Sequence, residues 1–558
     1  MRHGGKILVD QLEAQGVSVV FTVPGESFLA ALDGLHDTNR IQTVICRQEG
    51  GASMMAEAHG KLTGKPGICM VTRGPGLANA MSGLHVAQQD STPMILFVGL
   101  PGAGFEDREA FQEIELKDVL RSYVKWAAVI RDIKRLPEYV SRAFHVAQSG
   151  RPGPVVLGLP EDMLSDFAEV IDARPASLPD PAPGSGQITA LSELLARAER
   201  PLLIVGGPGW SADIKTRMET FAKRLGLPIA CAFRFQDYID NRHPCYVGHV
   251  GIGIEAKLAE AVKSADLLIV VGARLGEMTT SGYTLISSPN PSQFLVHVHP
   301  SPDELGTVYR PDISISASAQ RFAEALSGIE IAGAREGGVA KWAPFLAGLR
   351  EAYEATHVLL QTPGNVRMEE IVRTVDELLP ANGIVTNGAG NYTTFVHRYF
   401  RYKSWRSGLA PTSGSMGYGL PAAIAAKQAE PQRPVVCFAG DGCFMMTSQE
   451  LATAVQYGLP IIIIVANNGG YGTIRMHQEK HYPGRTVATT LVNPDFAAFA
   501  KSFGAYGETV TATEDFRSLF QRALMADRPF LIELKTDIEA ITPKTTLTAV
   551  RQAAEQGR

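Results

Sequence analysis

Short apolar runs, each followed by a helical pattern, recur from one end of this 558-residue chain to the other. Residues 67–72, 94–98, 155–158, 202–206, 267–272, 384–387, 435–440 and 461–466 are examples, and aliphatic or β-branched residues make up most of them. A strand without polar alternation has both faces buried, and strands that alternate with helices read as parallel sheets covered on each side. The predicted fold class is therefore α/β, with doubly wound parallel sheets. At about 100–200 residues per domain, the length requires three or four units. Two composition breaks mark the joints. Residues 174–186 are proline-rich and too poor in apolar side chains to pack, and the glycine-rich 332–340 precedes one helical segment and Thr362-Pro-Gly-Asn365. Domains over 1–173, 187–330 and 363–545 follow.

The charge balance narrows the partners. With a net charge of −5 and 20% charged residues, nothing recommends nucleic acid or an anionic membrane, so a small-molecule substrate is expected. No apolar stretch reaches the roughly 20 residues of a membrane span, and the first residues lead into an amphipathic helix pattern; the expected location is the cytoplasm. Cys46, Cys69, Cys231, Cys245, Cys437 and Cys443 form no Cys-x-x-Cys pair and read as buried free thiols. At Cys443 the backbone is expected to matter more than the sulfur.

One segment points to chemistry. Gly440-Asp441-Gly442 follows the apolar run 434–439, and Asn467-Asn468 returns 24 residues later, after a helical pattern and the run Ile461 to Val465. That length matches the helix and second strand of a βαβ crossover. A glycine permits close backbone approach, and a helix start offers free N–H groups to a phosphate oxygen. One carboxylate (Asp441), one amide oxygen (Asn468), a backbone carbonyl (Gly470) and two diphosphate oxygens suit Mg²⁺. A bare Gly-Asp-Gly also reads as a tight turn; the spacing to Asn467-Asn468 favours the metal-diphosphate.

With these residues the chain resembles the thiamine diphosphate enzymes, and over nearly its whole length the acetolactate synthase branch of their decarboxylases, which includes pyruvate- and benzoylformate-decarboxylase-like members. The resemblance implies pyrimidine-binding, central Rossmann-like and diphosphate-binding domains in that order. It also implies that Glu49, in Arg47-Gln-Glu-Gly-Gly-Ala, activates the cofactor by hydrogen bonding to the aminopyrimidine, with a pKa raised by desolvation. Out of context an acid at a helix start serves the dipole. The resemblance further places Gly76 and Asn79 at the cofactor and Met416 as the wedge that bends it, although Met416 by itself reads equally as core. Gly388, Ala389, Gly390, Asn391, Gly440, Gly442, Cys443 and Tyr471 are expected at the diphosphate. In this family the two halves of each site come from different subunits, which implies a homodimer at minimum, commonly a homotetramer.

Substrate-side residues are more open. Phe111-Gln112-Glu113 matches the Ala-Phe-Gln-Glu of acetolactate synthases, so Gln112 either donates to a substrate carbonyl or is a solvated amide. Glu26 stands where pyruvate and indolepyruvate decarboxylases carry an aspartate, and reads either as a proton relay or as a helix N-cap. Met278 and His477 replace the synthase arginine and tryptophan, which argues against branched-chain synthesis and against bound FAD. Gly206-Gly-Pro-Gly-Trp210 lacks an acidic partner about 20 positions on, so the central domain reads as largely architectural. Arg475, His477 and Arg485 either face a substrate carboxylate or are solvated. The expected activity is decarboxylation of a 2-oxo acid followed by protonation or carboligation. The alternatives are an FAD-dependent pyruvate oxidase type, a 2-hydroxyacyl-CoA lyase, and a regulatory relic that binds the cofactor without catalysis.

Overall fold

A computed structural model describes residues 1–331, 334–335 and 338–557. Its described residues form three six-stranded sheets, all parallel. The first runs Gln42–Ile45, Val19–Thr22, Gly67–Thr72, Met94–Leu100, Pro154–Pro160, Trp126–Val129 in space; numbered by appearance along the chain, its order is 2-1-3-4-6-5. The last runs Gly408–Leu409, Ile384–Asn387, Val435–Gly440, Ile462–Asn467, Phe530–Lys535, Tyr506–Val510, the same 2-1-3-4-6-5. The central sheet is different. Its order, Tyr246–His249, Ile229–Cys231, Pro201–Val205, Leu267–Val271, Phe294–His299, Ile313–Ser316, is the 3-2-1-4-5-6 of dinucleotide-binding folds.

The run Ile461 to Val465 shows why these segments become inner strands. β-branched side chains fit the pleat better than a helix, and Ile462–Asn467 is buried at every position. Strands of this kind are wrapped by amphipathic helices such as Met368–Leu378, which buries Met368, Ile371, Val372 and Val375.

The proline-rich joint is not a free spacer. Gln11, on the helix Gly4–Ala14, donates to the carbonyl of Ala173 at 3.0 Å and accepts from its N–H at 2.9 Å, and Gln15 accepts from Ala176 at 3.0 Å. Side-chain amides replace the apolar contacts the stretch lacks. The next helix, Ser185–Arg197, starts slightly before residue 187. The glycine-rich break at 332–340 lies partly outside the described residues; Ala334–Arg335 and Gly338–Val339 pair antiparallel.

The outer two domains pack directly on each other through the helices Glu49–Thr63 and Gly419–Ala429. Ala422, Ala423, Ala425 and Ala426 are fully buried there, small enough to let the helices approach closely. A buried polar cluster crosses the contact. Lys61 pairs with Asp90 and lies 3.5 Å from Glu57, Tyr418 donates to Glu57, and Thr412 donates to Asp90 through its N–H at 2.9 Å. All six cysteines are buried and free, as the sequence predicts. Among the described residues no helix is long and apolar enough to cross a membrane.

Candidate active site

In the last sheet Gly440 pairs with Ala466 and Asn387 with Phe438, so three chain segments leave adjacent strand ends together. They are the turns at 388–391, 441–443 and 468–471. The strands Ile384–Asn387 and Val435–Gly440 flank the point where the order reverses, and ligands of open α/β sheets bind in the crevice outside such strand ends. Here the crevice is a cavity of about 240 Å³. Ala389, Gly390, Asn391, Met416, Gly440, Asp441, Gly442, Cys443, Asn468, Gly470 and Tyr471, each expected at the cofactor, line it.

Asp441 is 3% exposed and heavily tethered. Its Oδ1 accepts from the Gly442 N–H at 2.8 Å, and its Oδ2 accepts from Gly469 N–H at 2.9 Å and Asn493 Nδ2 at 2.7 Å. Burial pushes its carboxyl above the ordinary value while these donors pull it down. The two asparagines divide the work. Asn467 turns inward, giving its amide to Glu533 at 2.7 Å, whereas Asn468 lines the cavity and its Oδ1 accepts from Gly470 N–H at 3.1 Å. Gly442 is required sterically, because a Cβ there would stand 2.5 Å from the Tyr471 ring.

The donor set fits a hard cation bound with a diphosphate. Among the described residues no group of three or more His, Cys, Asp or Glu side chains comes together, so the protein by itself builds no closed metal cage. One carboxylate and amide-type oxygens leave most positions of an octahedral Mg²⁺ to ligand oxygens and water, its preferred arrangement. A cation would also supply the counter-charge that buried Asp441 lacks.

Three expectations need correction. Gly388 does not line the cavity: its carbonyl accepts from Arg234 Nη2 at 3.3 Å, and its missing Cβ leaves room for the Cys443 sulfur, which would otherwise be 2.5 Å away. That sulfur also overturns the reading of Cys443 as a backbone element, because Sγ accepts from Gly417 N–H at 3.2 Å and from the Tyr392 hydroxyl at 3.5 Å, bracing the loop that carries Met416. Glu26 is not an N-cap. It opens the short turn Glu26–Phe28 without capping it, and its carboxylate, 70% exposed, lies 3.5 Å from the guanidinium of Arg73.

The expected first-domain residues do not line this cavity. Glu49 begins the helix Glu49–Thr63; the preceding residue, Gln48, caps it by accepting from Gly51 N–H at 3.1 Å. Glu49 Oε2 accepts from Asn79 Nδ2 at 2.9 Å, and Gly76 lies close enough that a Cβ would be 3.6 Å from Oε1. Gln112 has a φ of +61°, and its carbonyl accepts from Gly74 N–H at 3.0 Å. Farther along the chain, His477 stacks on His481 in the helix Gly472–His481, and Arg475 reaches Thr486 at 3.3 Å.

Sequence reasoning missed three residues. Asn493 returns from 52 positions away to hold Asp441, Glu450 accepts from the N–H groups of Arg47 and Gln48 just before Glu49, and Arg73 meets Glu26. None has a local signal apart from Arg73, which stands in Thr72-Arg-Gly-Pro-Gly76, a glycine-rich turn directly after a buried strand.

The central domain does more than join its neighbours. With both outer domains it encloses a second cavity of about 560 Å³, lined among others by Asp90, Arg234, Arg274, Met278, Asn391 and Ser413. Ala389, Gly390, Asn391, Gly414 and Thr473 border both cavities, so the two are neighbours.

Two like-ordered sheets flanking a dinucleotide-type sheet, with a buried Asp-Asn turn at the last switch point, define a three-domain α/β protein built to hold a diphosphate cofactor. Three family models match in the same order: the N-terminal TPP (thiamine pyrophosphate) binding domain over residues 2–119, the central domain over 188–326 and the C-terminal TPP binding domain over 388–534. The acetolactate synthase large subunit of Parasynechococcus marenigrum (strain WH8102) is 31% identical over 545 residues, 95% of this chain and 87% of that protein. The acetolactate synthase isozyme 2 large subunit of Escherichia coli (strain K12) is 28% identical over 545 residues, 97% of each chain. The chain belongs to the thiamine diphosphate enzymes and is a distant relative of acetolactate synthase large subunits.

Proposed function

We propose that this chain decarboxylates a 2-oxo acid with thiamine diphosphate and Mg²⁺, releasing an aldehyde after protonation or a 2-hydroxy ketone after coupling to a second carbonyl. The convergence of Asp441, Asn468 and the 389–391 turn on one cavity carries the reading. When bound, the cofactor supplies an electron sink for the pair released as the bond between carbonyl and carboxylate breaks. Asp441, Asn468 and the carbonyl of Gly470 would hold the metal, and Met416 would pack against the cofactor. Glu49 shares a proton with the pyrimidine, steadied by Asn79, while Gly76 leaves its carboxylate open. Gln112 donates to the substrate carbonyl oxygen, and Glu26 delivers the proton that ends the aldehyde branch.

Glu49 does not line the cavity of its own chain, which supports a second copy bringing its Glu49 to this site. Exposed Met446 and Ile474, at 49% and 54%, offer apolar surface around the cofactor turns for that contact. The enzyme is thus read as a cytoplasmic homodimer or homotetramer. Pyruvate, benzoylformate and longer oxo acids, supplied with cofactor and Mg²⁺, form the test; absence of CO₂ from all of them would sink the proposal. Glu26→Gly should shift products toward the hydroxy ketone, and an unchanged ratio would remove Glu26 from the scheme.

The 560 Å³ cavity favours one second reading, a flavin-dependent oxidase, despite the departures at Met278 and His477. Purified protein with flavin absorbance and electron transfer to an acceptor would support it, and a colourless active enzyme would dismiss it.

A further inference from the structure

Arg73 occupies the switch point of the first sheet. Val19–Thr22 pairs with Gly67–Thr72, and beyond their ends the turns at 23–28 and 73–76 bound the crevice where an open α/β sheet receives a ligand. Arg73 opens the helix Arg73–Asp90, is 8% exposed, and holds a φ of +43°. A non-glycine residue keeps that conformation only when its surroundings over-determine it.

Its contacts show what does so. Nη2 donates to Glu161 at 3.0 Å, while Nη1 lies 3.5 Å from Glu26 and 3.4 Å from the carbonyl of Phe111. The guanidinium also sits 5.7 Å from the centroid of the Phe111 ring, within cation–π range. Its Nε is buried without a hydrogen-bond partner among the described residues, so the two ends of the fork carry the engagement.

The loop it meets is strained. Asp107, Glu109 and Gln112 have φ of +60°, +51° and +61°. From inside, Glu113 ties the loop by accepting from the N–H groups of Asp107 and Ala110, both at 2.8 Å. From outside, among the described residues, the ties are Gly74 N–H to the Gln112 carbonyl and the contacts of Arg73 itself, with Arg131 holding Glu106 at 2.9 Å one residue before the loop. Burial does not hold Phe111, which is 69% exposed. One guanidinium between two carboxylates leaves the group net negative, which argues against Arg73 taking the substrate carboxylate itself.

We propose that Arg73 is a positioning residue that holds Glu26 and the Phe111–Gln112 loop in one frame over the crevice, so that the acid and the amide keep a fixed relation to the substrate. This rests on the reading that Glu26 and Gln112 face the substrate. Hydrogen exchange on the holoenzyme, assembled with thiamine diphosphate and Mg²⁺, tests it without depending on turnover. In Arg73→Met the amides of Asp107 and Ala110 should exchange about tenfold faster, with the strand Met94–Leu100 unchanged. Arg73→Lys, which keeps the charge but not the fork, should move the same amides in the same direction by a smaller factor, and it carries the test if the methionine variant does not fold. In both variants KM should rise more than kcat falls, and the ratio of aldehyde to hydroxy ketone should change. Exchange over 107–113 within twofold of wild type in a folded variant overturns the proposal, whereas wild-type protein that releases no CO₂ overturns only the assigned function.

Discussion

Glu49 and Cys443 test the site at the scale of single side chains. Replacing Glu49 by Gln keeps an oxygen for Asn79 but removes the group that shares a proton; kcat for decarboxylation should fall by about 10²–10⁴ with the thermal midpoint unchanged. A loss below tenfold would take the activating role from Glu49. Cys443→Ala leaves the buried Gly417 N–H without its acceptor, at a cost of about 1 kcal/mol. Calorimetric titration should show weaker thiamine diphosphate binding, and Cys443→Ser should restore it because a hydroxyl also accepts. Asp441 is legible in the sequence because a carboxylate at a strand end between glycines, with Asn467-Asn468 one crossover on, is a local pattern, whereas Glu49 is singled out only by the family resemblance. The sulfur of Cys443 is not legible, since its partners Gly417 and Tyr392 lie 26 and 51 residues away.

Between elements, the contact of Glu49–Thr63 with Gly419–Ala429 decides how the outer domains are set. Lys61 is the cation between Asp90 and Glu57, and burial pushes Glu57 above the ordinary carboxyl range against the pull of Lys61. Lys61→Met would strand two buried acids, so chemical denaturation should show a loss of about 3–5 kcal/mol. A loss under about 1 kcal/mol would mean that apolar packing alone holds the contact. The sequence suggests the helix that begins at Glu49. It also suggests one helix after Asp441, where the chain instead forms Asp441–Met445, the turn Ser448–Glu450 and Leu451–Gln456. The break lets Thr447 donate to the Gly417 carbonyl at 2.7 Å and turns Glu450 toward the N–H groups of Arg47 and Gln48. Both are tertiary demands that helical periodicity does not register.

Across the whole molecule, buried histidines set the response to acid. Burial holds His59, His249, His299 and His357 at about 4 against an ordinary 6.5, and lowers His397 further, with help from Arg234 and then His249. The unfolded chain binds those protons first, so the stability is present above pH 6.5 and is lost as pH falls through about 4. Asp237, raised to about 6 by burial, works oppositely, its contribution fading as pH rises through 6. Glu57, Asp441 and Glu450, raised by burial as well, act in the same sense as Asp237, but His243 and His297 are lowered too, so seven histidines stand against four carboxyls, and each tenfold difference in proton affinity is worth about 1.4 kcal/mol. The thermal midpoint should therefore drop between pH 7 and 5. Hydrogen exchange should open first at Tyr246–His249 and Tyr392–Tyr399, where His249 and His397 stand 5.8 Å apart beside Arg234. A midpoint that rises on acidification would contradict this balance.

The sequence by itself determined the three-unit plan, the inner strands and the Asp441 to Asn468 turn pair, because hydrophobic period and crossover length are properties of neighbouring residues. Tertiary structure alone decided that Asn493 holds Asp441, that Arg73 meets Glu26, and that the central domain borders a cavity beside the cofactor crevice. Those contacts join residues far apart along the chain, and sheet order and register, which no local pattern carries, determine which of them meet.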